Sequence, residues 1–230
     1  MQVGAGGYVH SSRFYFSIQH IKSACLFAQF SFNIETLGDG RSREERLTEQ
    51  TAYVTGSILS SVAFLEATIN EVYADAADGM LNARKLDAGD VRRLGILWET
   101  EAFERRAGIL EKLQVALTFA DSQAFDAGVA PYQDARLLIK LRNFIVHAKP
   151  EWITAGVKKG KVPNLEEQLR LKFKLNPLAP EGSEFFPNKC LGHGGANWAV
   201  VSVLKLTDEF FSRMKMIPTY DHVREDLKTS

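Results

Sequence analysis

Apolar residues recur along the chain at intervals of three and four, which is the spacing that places them on one face of an α-helix. The clearest case is the proline-free stretch Glu44–Ala77. Its apolar series consists of Val54, Ile58, Val62, Leu65, Ile69 and Val72. The pattern predicts one long helix that ends close to Gly79, because glycine readily takes the left-handed backbone conformation that closes a helix.

The same spacing predicts helices on both sides of this one. An aromatic-rich segment, Tyr8–Ile34, indicates a first helix, and the polar, glycine-containing stretch 38–43 is typical of a loop. Asp90 is placed to cap a third helix that continues to about Phe119. Apolar residues at helical spacing in 196–216 indicate the last helix.

The fourth helix is expected to be interrupted. It begins near Asp121, is disturbed by a glycine and a proline, and resumes as DARLLIKLRNFIVHA, 134–148. Proline disfavours helical geometry at the residue before it. We therefore expect Pro150 to end this helix near His147 or Ala148.

Residues 149–195 differ from the rest of the chain because they hold five of its seven prolines. This composition predicts a long irregular excursion that could hold a short helix or strand near 165–175, and loops of this length are usually functional or disordered. The predicted fold class is therefore all-α. It is one domain over 1–230, an up-and-down bundle of four to five helices with the excursion before the last helix.

Composition narrows the range of functions. The 28 basic residues balance the 28 acidic ones, so no global charge draws the chain to nucleic acid or to a membrane. Two cysteines without CxxC spacing, and a start without an uninterrupted apolar run, predict a soluble, reduced, cytoplasmic protein. A local basic cluster lies between Lys158 and Lys174. It fits a solvated loop and an RNA-binding surface about equally well.

Several common catalytic signatures do not occur in the sequence. It contains no P-loop, no strand–GxGxxG–helix unit, no HExxH and no GxSxG motif. Cys190 and His193 have the spacing of a half metal site, but without a second pair an unrelated thiol and imidazole are the better interpretation. We therefore expect neither a metal nor a cofactor.

The candidate chemistry lies at the end of the fourth helix. On a projection of 100° per residue, Arg142, Asn143 and His147 lie opposite the apolar core stripe. Asn143 and His147 are four residues apart and share one face, and the Arg142 side chain is long enough to converge on them. Ile139 and Val146 lie between these polar residues. We therefore expect a second helix or a second subunit to cover this face.

These three side chains suit reactions of phosphate esters. A histidine can move a proton near neutral pH, and an arginine can hold a phosphate and stabilise the charge that develops on it. The asparagine can orient either group. On spacing alone, however, a structural histidine stabilised by the helix dipole is the commoner interpretation of His147.

The segment LRNFIVHAKPEW, Leu141–Trp152, resembles the signature of HEPN-domain proteins, in which an arginine, often followed by asparagine, precedes a histidine near the end of a late helix. The phrases SSVAFLEATINEVY, Ser60–Tyr73, and GANWAVVSVLKLTDEFF are also similar to this family. The resemblance covers roughly 44–148 and 190–216. It implies an all-α bundle and, in many members, a metal-independent endoribonuclease that acts as a homodimer in prokaryotic toxin or phage-defence systems.

The resemblance also implies roles for individual residues. His147 would be the general acid and base, Arg142 would bind the scissile phosphate, and Asn143 would support the geometry. Attack by the RNA 2′-hydroxyl would leave a cyclic phosphate. Lys149 stands where some toxin members carry a modified tyrosine, so silencing of that kind is not supported, although an antitoxin or another protein inhibitor remains a candidate partner.

The long second helix contributes a supporting group. Glu66, Asn70 and Tyr73 share one face, where they could orient Arg142 or His147 or help to bind substrate. A hydrogen-bonded polar seam between packed helices is an equal alternative. Because an unpaired buried carboxylate is costly, Arg142 is the expected partner of Glu66.

Two alternatives from other classes stay open. The chain could be a non-catalytic helical module that binds a nucleotide, an RNA or a protein, or it could be a purely structural dimer. The basic residues of the excursion favour single-stranded RNA as the ligand. The candidate RNA-binding residues are Lys140, Lys149, Lys158, Lys159 and Lys161.

Overall fold

A computed structural model describes residues 13–37, 40–81, 86–149 and 161–230. Within these ranges every regular element is a helix, which confirms the all-α class. The α-helices are α1 (Ser17–Thr36), α2 (Arg43–Ala77), α3 (Ala88–Trp98), α4 (Glu101–Arg106), α5 (Ile109–Phe119), α6 (Tyr132–Val146), α7 (Lys161–Leu169) and α8 (His193–Arg213). Two short helical turns, Phe185–Lys189 and Asp221–Asp226, complete the described elements.

The central element is α2, and its start is encoded locally. The Ser42 hydroxyl accepts the N–H of Glu45, and the Glu45 carboxylate accepts the N–H of Ser42. This reciprocal capping satisfies two backbone donors that a helix start otherwise leaves unpaired. Beyond the other end of the helix, Gly79 takes a positive φ of 66°. The predicted span 44–77 is therefore confirmed to within one residue.

The core forms around α2, which packs against α1 and α8 and also contacts α3, α5 and α6. All six members of the apolar series predicted for α2 are buried, none of them more than 3% exposed. By length and composition alone this helix could cross a membrane, but half of its most apolar window is buried inside the bundle. Core helices have the same character, so the helix does not decide the location of the protein.

One carboxylate connects three of the long helices. Glu35 of α1 accepts hydrogen bonds from the Gln50 side chain of α2 at 2.5 Å and from the backbone N–H of His193 at 2.6 Å, at the start of α8. Burial raises the pKa of this carboxyl above its ordinary value, and the bond from His193 counteracts the shift. Glu35 therefore caps α8 from another part of the chain.

The predicted third helix is wrong in two respects. Its cap is Asp87, whose carboxylate accepts the N–H of Asp90 at 2.8 Å. The span also divides into α3, α4 and α5, so the described residues hold more helices than the four or five predicted. The breaks fall where Thr100 and Gly108 take extended backbone conformations, and both residue types have weak helix propensity.

The predicted start of α6 is wrong, whereas its predicted end is confirmed. Helix α6 begins at Tyr132 rather than near Asp121, because 121–131 form turns and irregular backbone. It ends at Val146 with His147 as the C-cap, as the proline downstream predicts. Helix α1 begins at Ser17, and the first part of the segment predicted from Tyr8 lies outside the described residues.

The excursion is more structured than its composition predicts. Helix α7 lies within it, and Leu165, Leu169, Phe185 and Leu191 are all buried in the common core. The Asn176 side chain donates to two backbone carbonyls of the same segment. These contacts depend on tertiary packing rather than on periodic spacing, so the sequence pattern does not reveal them.

The residues after α8 also pack on the bundle. Tyr220 is fully buried, and its hydroxyl bonds to the Asp208 carboxylate at 2.6 Å and to the Thr207 hydroxyl at 2.7 Å. Further along, the Thr229 hydroxyl donates to Asn197 of α8 at 2.6 Å. The closing segment is therefore an integral part of the fold.

Candidate active site

Arg142 and Glu66 are brought together by the packing of α6 on α2. A guanidinium nitrogen of Arg142 lies 3.8 Å from a carboxylate oxygen of Glu66, with the two side chains 25% and 54% exposed. Arg142 is thus the partner that the sequence leads us to expect. The pair faces solvent, so its value is in placing the guanidinium rather than in stabilising the fold.

One turn further along α2, Asn70 is held by a residue that the sequence analysis does not single out. The Lys112 ammonium of α5 donates to the Asn70 side-chain oxygen at 2.8 Å. Lys112 is only 4% exposed. A signal for it exists in the sequence, because this lysine shares the apolar face of α5 with Leu113 and Ala116, where a charged residue needs a partner.

The surroundings of Lys112 explain how a buried cation is accommodated. Its ammonium also donates to the backbone carbonyl of Glu104 at 2.9 Å and lies 5.2 Å from the Trp98 ring centre. Burial lowers the pKa of Lys112 below its ordinary value, and the carboxylates of Glu66 and Glu104 partly counteract this shift. The cluster therefore links α2, α4, α5 and α6 through one network of charges.

Tyr73 is buried beneath the cluster around Lys112 and does not reach its solvent-exposed side. Its ring is fully buried and lies beside Trp98 and Phe103, with ring centres 6.2 and 5.2 Å away. Its hydroxyl donates to the backbone carbonyl of Lys112 at 2.9 Å, and burial raises its pKa. Direct substrate binding by Tyr73 is therefore ruled out by its burial, and the residue contributes to a polar seam between α2 and α5.

Asn143 and His147 lie on the exposed side of α6. The backbone N–H of His147 donates to the Asn143 carbonyl at 2.9 Å, which closes the helix. Across the parts of the chain that the structure describes, the imidazole makes no hydrogen bond. His147 is therefore open to a ligand instead of being sealed in the core of one subunit.

The aliphatic residues between these polar groups differ in their surroundings. Ile139 is partly buried against the core, which includes α2 and α8. Val146 is 51% exposed, and nothing in the described part of the chain covers it fully. Among the described residues, the bundle therefore covers Ile139 in part and leaves about half of Val146 exposed.

The candidate RNA-binding lysines have mixed environments. The Lys140 ammonium donates to Asn164 at 3.1 Å and to Gln168 at 3.0 Å, while Lys149 is exposed. Lys158 and Lys159 lie outside the described residues, and so does the side chain of Lys161, at the start of α7.

The basic cluster of the excursion is partly neutralised. Lys172 pairs with Asp134 at 2.7 Å, and Arg170 lies 3.7 Å from Glu166. The positive charge available to a ligand is therefore smaller than a count of lysines and arginines indicates.

The Cys190–His193 pair is occupied by other contacts. Cys190 is fully buried, and the His193 ring nitrogen Nδ1 lies 3.1 Å from the Ala28 carbonyl oxygen. In 13–37, 40–81, 86–149 and 161–230, no group of three or more potential metal ligands comes together.

No known protein family, curated protein or solved structure matches this chain.

Proposed function

We propose that this protein is a metal-independent endoribonuclease of the HEPN type. The observation that carries the proposal is the arrangement on α6: Arg142 is held by Glu66 from a neighbouring helix, and His147 is exposed at the end of the same helix. A tethered guanidinium suits a phosphodiester, and an accessible imidazole suits proton transfer.

The reaction requires two proton transfers. An imidazole of His147 accepts the proton of an RNA 2′-hydroxyl, and the 2′-oxygen bonds to the adjacent phosphorus as the bond from phosphorus to the 5′-oxygen breaks. A protonated imidazole of His147 in a second copy gives its proton to the departing 5′-oxygen. The products are a 2′,3′-cyclic phosphate and a 5′-hydroxyl. Arg142 stabilises the charge that develops on the phosphate, and Asn143 holds the geometry.

A homodimer is part of the proposal. The half-exposed Val146 lies between Arg142 and Asn143 on the helical projection, so a second copy packed there would bury the aliphatic group and bring two histidines to one cleft. Lys149 and Lys140 flank this cleft as phosphate contacts. We place the protein in the cytoplasm, in a toxin or phage-defence system, with single-stranded RNA as substrate and with an antitoxin or another protein inhibitor as a possible regulator.

Cleavage of labelled single-stranded RNA in the presence of EDTA tests the proposal. We expect the wild type to cut, and His147→Ala and Arg142→Ala to lower the rate by about a hundredfold or more. His222→Ala is the matched control, because His222 is an exposed histidine in the closing helical turn. Cutting that persists in His147→Ala overturns the assignment. Binding of RNA without cutting by the wild type would instead identify a non-catalytic module.

A further inference from the structure

Lys112 is a buried ammonium to which the proposed reaction assigns no step. Its donors are directed at Asn70, at the Glu104 carbonyl and towards the face of Trp98. A buried cation is costly, and an apolar residue of similar size would serve packing alone at least as well. The stability of the fold therefore does not explain why a lysine occupies this buried position.

The chemistry of lysine determines the orientation of the Asn70 amide. An ammonium group can only donate, so the atom of Asn70 that lies 2.8 Å from it must be the carbonyl oxygen. The amide nitrogen Nδ2 consequently points away from Lys112. It has no partner in the part of the chain that the structure describes, and it is not among the unpaired atoms sealed from solvent. Two N–H donors are thus presented outward, one turn from Glu66.

We propose that Lys112 is a positioning residue that locks the Asn70 amide, so that its NH₂ group donates to a non-bridging phosphate oxygen of the RNA backbone beside Arg142. This inference rests on the proposed ribonuclease function. Glu66 supports the arrangement electrostatically, since it lies 3.8 Å from Arg142 and close enough to Lys112 to raise the pKa of that ammonium. Arg142 supplies the charge, and Asn70 supplies a neutral donor of fixed direction.

The Asn70→Asp variant separates donation to RNA from attachment to Lys112. An aspartate keeps an acceptor for the ammonium and strengthens that contact, but it has no N–H to offer a phosphate. We expect Asn70→Asp to fold as stably as the wild type and to lose activity as fully as Asn70→Ala. Activity of Asn70→Asp at the wild-type level overturns the proposal.

A double-mutant cycle tests whether Lys112 acts through Asn70. We expect Lys112→Met to lower kcat/KM for RNA cleavage by about tenfold to a hundredfold, because misplacing a reacting or positioning group by about 1 Å can cost up to about a hundredfold. In the Asn70→Ala background the same substitution should change kcat/KM by less than about twofold, because the group that it orients is gone. An equal loss in both backgrounds means that Lys112 acts through the fold alone, and it overturns the proposal.

Gln114→Met is the matched control. Gln114 lies on the same helix and makes two hydrogen bonds with the backbone of Phe125, away from the site. We expect it to leave kcat/KM within about twofold of the wild type, although it removes two hydrogen bonds from the same helix. Comparable kcat/KM losses in the two variants overturn the proposal. The wild-type protein distinguishes failure of this proposal from failure of the proposed function. If the wild type does not cleave RNA, the ribonuclease function itself is wrong. If it does and Lys112→Met cleaves RNA equally well, only the role of Lys112 is wrong.

Discussion

Glu66 on α2 holds Arg142 on α6 across a distance of 3.8 Å, and it does so at the surface rather than in the core. We expect Glu66→Gln to lower RNA cleavage by about tenfold, because the guanidinium loses the charge that places it against the phosphate. The free energy of unfolding should change by less than about 1 kcal/mol, since exposed ion pairs contribute little. Cleavage rates and urea unfolding of the same preparation measure both quantities.

The matched control for this variant is Glu101→Gln. Glu101 pairs with Arg105 at 2.8 Å on α4, and both side chains are more than 70% exposed. We expect this substitution to leave cleavage and stability unchanged. Equal activity of Glu66→Gln and Glu101→Gln would show that the pair at Arg142 has no part in the reaction.

The exposed Val146 provides a test of the proposed dimer. We expect Val146→Glu to shift the protein from dimer to monomer in sedimentation or light-scattering measurements, because removing a carboxylate from water at an apolar contact is costly. Cleavage should fall with the dimer fraction.

Ile217→Glu is the control for Val146→Glu, since Ile217 is another aliphatic residue at the surface, 72% exposed, and it follows α8 rather than α6. This variant should remain dimeric. A wild type that stays monomeric at every concentration, or a Val146→Glu variant that stays dimeric, would exclude the interface on this face.

The two cysteines predict a pattern of chemical reactivity. Burial raises the pKa of Cys25 to about 11 and that of Cys190 to about 12, from an ordinary value of 9.0. The thiolate is the reactive form, so neither thiol should react readily with a disulfide reagent at pH 8 until guanidinium unfolds the chain. Rapid labelling of either residue in the native protein would contradict its burial.

The raised thiol pKa values also predict the direction of a pH effect. The unfolded chain loses its thiol protons near pH 9, before the folded chain does. The contribution of these two thiols to the free energy of unfolding is therefore fully present below pH 9. It is lost as the pH rises towards the pKa values of the thiols in the folded protein. Urea unfolding of Cys25→Ala between pH 8 and pH 11 should show a smaller loss of stability over that range than the wild type shows.

Gly194 tests whether the excursion is really packed against α8. A Cβ on this residue would clash with the backbone carbonyl oxygen of Lys174. We expect Gly194→Ala to lower the free energy of unfolding by about 1–3 kcal/mol or more.

Gly89 is the matched control for Gly194, because it occupies the same position in the first turn of α3 and meets only side-chain atoms, the nearest at 3.0 Å. Gly89→Ala should stay within about 1 kcal/mol of the wild type. Equal stability of the two variants would mean that the excursion is not docked on α8.

The sequence predicts those parts of the fold that depend on local chemistry. The span of α2 follows from its apolar spacing, and the end of α6 at His147 follows from a proline downstream. The pairing of Glu66 with Arg142 is the one long-range contact predicted, and it follows from the cost of leaving a carboxylate without a basic partner. The other two features depend on neighbours along the chain.

The sequence misses those parts that depend on packing between distant segments. Lys112 meets Asn70 across 42 positions of sequence, and its third neighbour, Trp98, is on yet another helix. The buried residues of the excursion, such as Phe185, follow no helical period because prolines and turns separate them. Contacts of this kind become visible only when the helices are assembled.

The hydrogen bond that the Glu35 carboxylate accepts from the start of α8 joins segments that are synthesised far apart in time. Helices α1 and α2 are consecutive and can associate as soon as both have been synthesised, but the residue that Glu35 caps is 158 positions further on. Until then, the face of α2 that α8 will cover remains open on the nascent chain, with an apolar character that suits binding by a chaperone. The part of the core that α1, α2 and α8 share is therefore completed only when α8 has left the ribosome.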